Sequence, residues 1–263
     1  MYLLFTDETN TSPQYDARIK FFAYGGLIIP FDSLSELDNG IQKIRMEAGY
    51  EPANSLKFDT HSKPEHVSPE QFAKIKNDII SLCIETKCKF LVYVVLHKIA
   101  ENQGINQTIK WGADHIVGKF NYFLKRNNST GFVIMDRLPD TNEYSFFTEK
   151  FTKGLVFSNK NIPLENIRMF SSSCDNASNF NSAMDIVLGS FRYCINAPQN
   201  WGSAQKMMHN VVSLIWAERQ DDHIIDPFEK GLTFRPNPEK IEVEEYKEEY
   251  TNLLKFINSL LKG

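Results

Sequence analysis

Apolar positions along this chain follow two periods. Short apolar runs lie at residues 2–5, 19–30, 90–96, 132–135 and 167–170 and predict strands, and 90–96 is near-continuous, the pattern of a strand covered on both faces. Between them apolar residues recur every three or four positions at 33–48, 68–86, 107–126 and 179–195, with shorter helical patterns at 143–157 and 211–217. Ser33 or Ser35 can cap the first of these helices, and Ser68-Pro69-Glu70-Gln71 is a clear start for the second, with proline at the first helical position. Gly25-Gly26, inside the run 19–30, predicts a bent or bulged strand, or two strands joined tightly, able to pair antiparallel with the first. Strands alternating with helices after an opening hairpin predict an α/β fold, a mixed sheet with helices on its faces.

A length of 263 residues suits one such domain. Pro227, Pro236 and Pro238 predict a linker, so residues 1–225 are read as the domain and 226–263 as a linker and a helix packed on it. That helix, 239–261, is acidic over 242–249 and apolar over 253–261, which suits packing on the domain or a dimer contact. The net charge of −4 argues against broad affinity for nucleic acid but leaves room for a local basic groove. Acids interrupt the first apolar run, and the longest one, 90–96, is too short to cross a bilayer, so no secretory signal, no membrane contact and a cytoplasmic location are expected. Cys83, Cys88, Cys174 and Cys194 lack the spacing of a zinc knuckle or a redox pair and are read as reduced thiols.

Three carboxylates depart from the apolar pattern around them. Asp7 and Asp136 end apolar strands, and Asp185 sits in an otherwise buried helix, on the side shared with Asn181, Ser182 and Gly189. If the two strands lie side by side and parallel, both carboxylates reach the same sheet edge, where open α/β sheets bind ligands. Like charges a few ångströms apart raise one another's pKa unless a cation stands between them, so such a triad points to a divalent metal. Hard carboxylate oxygens without neighbouring His or Cys favour magnesium or manganese. Two such ions, roughly 3.5–4 Å apart, activate a water and stabilise the leaving oxygen in phosphodiester hydrolysis. The competing reading makes each aspartate a turn cap or part of a solvated helix face.

Thr6-Asp7-Glu8-Thr9, followed by 21–29 with its paired glycines, resembles the opening of the ribonuclease H-like family called domain of unknown function three thousand eight hundred. The likeness continues with Lys57 in Ser55-Leu56-Lys57, the strand-end Asp136, and a serine-rich run before a helix of the form polar-x-x-x-Asp-x-x-x-Gly, here Asn181 to Gly189. It spans roughly the first two hundred residues, carried by the order of several weak motifs. The resemblance implies a ribonuclease H-like mixed sheet with helices on both faces, and Asp7, Asp136 and Asp185 as metal ligands. Where the family opens Asp-Glu-Ser-Gly, this chain has Thr9-Asn10 after Asp7-Glu8, and the acid expected two residues before the lysine is Ser55. Glu8 or Asp175 is then the candidate for a fourth ligand, although alternation along the strand sends Glu8 to the face opposite Asp7 unless the chain bends.

Lys57 and Arg137 are candidates for phosphate contact, or else solvated side chains. His61 and His66 flank a Lys-Pro loop and can carry protons or simply be solvated, while His115, in a helix with Trp111, is read as packing or capping. No Gly-x-Ser-x-Gly elbow or Gly-rich phosphate loop is present in the sequence. The leading expectation is therefore a magnesium- or manganese-dependent nuclease hydrolysing RNA or DNA. The alternatives are a catalytically impaired binding or regulatory module of the same fold, and a hydrolase of small nucleotides.

Overall fold

The structure, a computed structural model, describes residues 1–9, 19–136, 143–157, 160–174, 176–196, 201–220 and 223–261. The opening hairpin is β1 (Tyr2–Glu8) and β2 (Phe21–Pro30), antiparallel in unbroken register from Tyr2↔Pro30 to Glu8↔Tyr24. Helices α1 (Leu34–Glu47) and α2 (Pro69–Glu85) lead to β3 (Lys89–Leu96), antiparallel to β2. Helices α3 (His97–Gln103) and α4 (Ile105–Arg126) then deliver β4 (Gly131–Asp136) parallel to β1. Next come α5 (Glu143–Lys153), a small hairpin of β5 (Leu155–Phe157) and β6 (Lys160–Ile162), and β7 (Ile167–Ser173), parallel to β4. Helices α6 (Asn179–Asn196) and α7 (Trp201–Leu214), a hairpin of β8 (Glu218–Gln220) and β9 (His223–Asp226), β10 (Leu232–Phe234) and α8 (Glu244–Leu261) complete the chain. The main sheet runs β10-β3-β2-β1-β4-β7.

This is the α/β mixed sheet with helices on both faces that the sequence predicts. Strand β3 reads as a continuous apolar run because both of its faces are covered. In β3, Phe90, Val92, Val94 and Leu96 join the core under α1, α2, α6, α7 and α8, while Leu91, Tyr93 and Val95 join the core under α3, α4 and α5. Helix α2 starts as expected, with a full capping box between Ser68 and Gln71. At α1, by contrast, Ser33 occupies the cap position without a side-chain cap bond, so packing of Leu37 and Ile41 holds that helix.

Three expectations need correction. The glycine pair does not bend the chain: β2 is one strand without a register shift against either neighbour. The glycines thin the sheet instead. A Cβ on Gly25 would meet Met184 and Leu188 of α6 at 2.8 and 2.9 Å, and one on Gly26 would meet Ile116 of α4 at 2.7 Å. Both helices therefore lie close on the sheet beside the end of β1. Second, the helix over 143–157 stops at Lys153, because Gly154, with φ +77°, turns the chain into β5. Third, residues 226–263 contribute more than a linker and a helix, since β10 forms the edge of the main sheet beside β3. Helix α8 packs through Tyr250, Leu253, Phe256, Ile257 and Leu260, and the Tyr250 hydroxyl donates to Arg235 O at 2.7 Å while accepting from Leu96 N at 2.9 Å. Among the described residues no helix is long and apolar enough to cross a membrane. Cys83, Cys88 and Cys194 are buried free thiols, and Cys174 is exposed.

Candidate acidic site

The parallel pairing of β1 and β4 runs to Thr6↔Met135, so the next residue of each strand, Asp7 and Asp136, stands side by side where the two strands part, Asp7 still paired with β2 and Asp136 with β7. Strand alternation turns them to the α6 face, with Phe5 and Ile134 beneath. There Asp7, Asp136 and Asp185 line one cavity of about 20 Å³, together with Lys57, Asn176 and Asn181. That volume holds roughly one water or one ion.

Neighbouring charge acts strongly on these groups. Burial pushes the Asp7 carboxyl well above the usual range, and Asp185, Glu8 and Asp136 add to it in that order, against one relieving bond from its own turn, Glu8 N to Asp7 Oδ1 at 2.8 Å. Glu8 is raised from 4.5 to about 7, first by burial and then by Asp136. As alternation predicts, Glu8 lies on the other side of the strand, opposite Tyr24, which joins the core under α4. It is electrostatically coupled to the cavity without lining it. Thr9, where the resembled family has serine, ties the strand end to β2: its Oγ1 accepts from Ala23 N and its N–H donates to Ala23 O, both at 2.9 Å.

The loop with Lys57 is built against Asp185. Phe58 N–H donates to Asp185 Oδ2 at 2.5 Å, and Leu56 is buried in the core. Arg45 Nη2 donates to Asn54 O at 2.7 Å, and Asn176 Nδ2 donates to Ser55 Oγ at 2.8 Å. The Phe58 ring is fixed from two sides. Lys76, almost fully buried, stands over it at 4.3 Å and over Phe72 at 4.4 Å. On the other side lies Gly189, where a Cβ would come within 2.4 Å of Phe58. The Asp-x-x-x-Gly spacing thus has a physical cause: the aspartate receives the loop's N–H, and the glycine one turn later makes room for its ring.

Gly189→Ala is expected to destabilise the protein by about 1–3 kcal/mol in urea unfolding, as other overpacked sites do, and to expose the 52–66 loop to limited proteolysis. The sign is diagnostic, because glycine to alanine inside a helix otherwise stabilises by roughly 0.5–1 kcal/mol. A rise in the urea midpoint would show that Phe58 moves aside freely.

Asn176 and Asn181 line the cavity without having been singled out as site residues by the sequence pattern. Asn176 adopts φ +63°, and Asn181 is held by Ser178, whose Oγ donates to its Oδ1 at 2.7 Å. His61 and His66 are exposed and do not line the cavity. His115 lies under the opposite face of the sheet, against the Tyr93 ring at 5.3 Å. Asp175 and Arg137 fall outside the described residues.

In donor chemistry the cavity fits a hard divalent cation, since it gathers carboxylate oxygens whose mutual repulsion a cation relieves. In closure it is incomplete: among the described residues no three His, Cys, Asp or Glu side chains are grouped so as to hold one ion.

No protein-family model matches the chain, and no curated protein sequence matches it. Among solved structures, it is similar in backbone course to ribonuclease HII from Archaeoglobus fulgidus in its complex with PCNA, at 12% identity over 84% of this chain and 97% of that one, with a TM-score of 0.44. It is also similar to ribonuclease H2 from Pyrococcus horikoshii OT3, at 13% identity over 81% of this chain and 99% of that one, with a TM-score of 0.37. Likenesses of this size carry no activity over to this chain.

Proposed function

We propose that this protein is a divalent-metal-dependent phosphodiester hydrolase acting on RNA or DNA. One observation carries the reading: Asp7, Asp136 and Asp185, from two parallel strand ends and a facing helix, line a single ion-sized cavity, and Asp7 is raised by burial and then by Asp185, Glu8 and Asp136. Those three aspartates would hold magnesium or manganese, with Glu8 adding negative field from behind the strand and Asp175 as a further candidate. When bound, such an ion supplies an activated water and charge neutralisation at the phosphate. Lys57, on a loop anchored at four points, presents an ammonium at the cavity wall, suited to a phosphate oxygen. Asn176 and Asn181 line the same wall, their side-chain amides held by Ser55 Oγ and by Ser173 Oγ and Cys174 O.

A second reading, a binding module of the same fold without turnover, is favoured by two observations. The acids are not closed around one point, and Ser55 stands where the resembled family has an acid, its hydroxyl already accepting from Asn176. One experiment separates the readings. The purified protein is incubated with single- and double-stranded RNA and DNA and with small nucleotides, in manganese and in chelator, while calorimetry follows manganese binding. Cleavage in manganese and none in chelator is the expected outcome. Nucleic-acid binding with neither cleavage nor millimolar manganese affinity would instead establish the module.

A further inference from the structure

The opposite face of the sheet holds a second cavity, of about 1110 Å³, which shares no lining residue with the acidic one. Its floor is one stripe of α4. Trp111, His115, Lys119 and Tyr122 follow at intervals of four, four and three residues, which places them on a single helix face, while the other face of α4 is core. Trp111 and Tyr122, at the two ends, are 42% and 44% exposed, and eleven residues of helix separate them by roughly 16 Å. Trp111 stands open at one end, and at the other Tyr122 packs one side of its ring near Trp216 at 5.7 Å and keeps the rest open, so each end presents an aromatic surface able to take a ligand. The β5–β6 hairpin adds an apolar wall, with Val156 and Ile162 also exposed.

Between the two rings the charge is positive. Lys119, Arg235 and Lys240 line the cavity together with Glu229, which Arg235 engages through both Nη atoms at 2.9 and 3.2 Å and Lys119 meets at 3.7 Å while donating to its carbonyl oxygen. The other acid of the wall, Asp114, is matched by Lys150 at 2.7 Å. His115 adds no charge: burial, with Arg235 and Lys119 acting the same way, lowers it to about 4. Along α4, Lys119 stands between the two rings, and Arg235 shares Glu229 with it.

We propose that this groove binds a ligand in which two aromatic bases are bridged by phosphate, either a short single-stranded stretch of nucleic acid or a free dinucleotide. A lone phosphate engages the cations and leaves both rings bare. A purely apolar ligand covers the rings and takes the Lys240 ammonium and the Glu229 ion pairs out of water, which is costly. A mononucleotide spans only part of the roughly 16 Å between the rings. Stacking on exposed aromatics with cations along the backbone is the general mode of single-strand binding, where each stacked base contributes about 1–3 kcal/mol. In its strand form the proposal rests on the nucleic-acid reading above and makes the groove a second grip, on the sheet face away from the acids; in its dinucleotide form it is independent of that reading.

The test uses the full chain in chelator. Fluorescence anisotropy follows binding of fluorescein-labelled hexathymidylate, with a dinucleoside diphosphate and inorganic pyrophosphate as competitors. Trp111→Ala and Tyr122→Ala, both at exposed positions, are each expected to weaken binding about tenfold. Lys240→Glu is expected to weaken it and to flatten its salt dependence. Competition by the dinucleoside diphosphate at lower concentration than unlabelled hexathymidylate assigns the site to a free dinucleotide, and the reverse order assigns it to a strand. Equal competition by pyrophosphate, or unchanged binding in Trp111→Ala, overturns the proposal. Binding lost in Asp7→Asn but kept in Trp111→Ala overturns it as well, while leaving the acidic site standing.

Discussion

Asp7→Asn is expected to abolish manganese-dependent cleavage, by at least about 10³-fold, and at the same time to make the metal-free protein more stable above pH 7. The two effects have one cause. Asp7 is raised by burial and by Asp185, Glu8 and Asp136, so its ionised form is disfavoured in the folded chain. Asparagine removes that charge and keeps an Oδ1 that can still accept the Glu8 N–H. The expected gain is roughly 1–3 kcal/mol in urea unfolding at pH 8 with chelator. A mutation that removes function and adds stability marks a group kept for chemistry at the expense of the fold. If Asp7→Asn lost activity and stability together, Asp7 would be a structural cap of its own turn, and the loss of activity would say nothing about a metal.

The sequence made the carboxylates visible because they interrupt patterns that need no tertiary information. Strands β1 and β4 are apolar until their last residues, and a charge in that position contradicts the burial of everything before it. Asp185 is visible for the same reason on α6, where Met184, Ile186, Val187 and Leu188 are all buried around it. What the sequence hides is set by contacts between distant segments. Nothing near Phe58 announces that its backbone N–H serves Asp185, 127 residues away. Gly25-Gly26 looked like a bend because glycine usually signals backbone freedom, whereas its use here is the absence of a side chain beneath two helices. Strand β10 has three residues in a proline-bounded segment, too few to show a period, and pairing with β3 alone makes it a strand. The second cavity is less legible still, since its stripe on α4 has a helical period, but the hairpin and the 235–240 segment that turn the stripe into a groove come from elsewhere in the chain.

The same repulsion predicts how stability responds to pH and metal. In the folded protein Glu8 is raised from 4.5 to about 7, so the folded state binds that proton more tightly than the unfolded one. Its contribution is fully present below about 4.5 and is lost as pH rises through about 7, a fall of about 3 kcal/mol from this group. Asp7, shifted in the same direction, adds to the fall. Metal-free protein is therefore expected to have a lower Tm at pH 8 than at pH 5, by roughly 6–12 °C for a chain of this size. Manganese at a hundred times its pH 8 Kd should return about 2.7 kcal/mol at pH 8, and the same concentration much less at pH 5, where Glu8 already carries its proton and Asp7 is shifted the same way. Asp136→Asn should flatten the pH dependence, because Asp136 is the charge that acts on Glu8 after burial. Thermal scans across this range, with chelator and with manganese, read all three effects. A Tm that held steady or rose from pH 5 to pH 8 in chelator would mean that cations within the fold already balance these acids, and a cavity balanced in that way has no electrostatic reason to take up a metal.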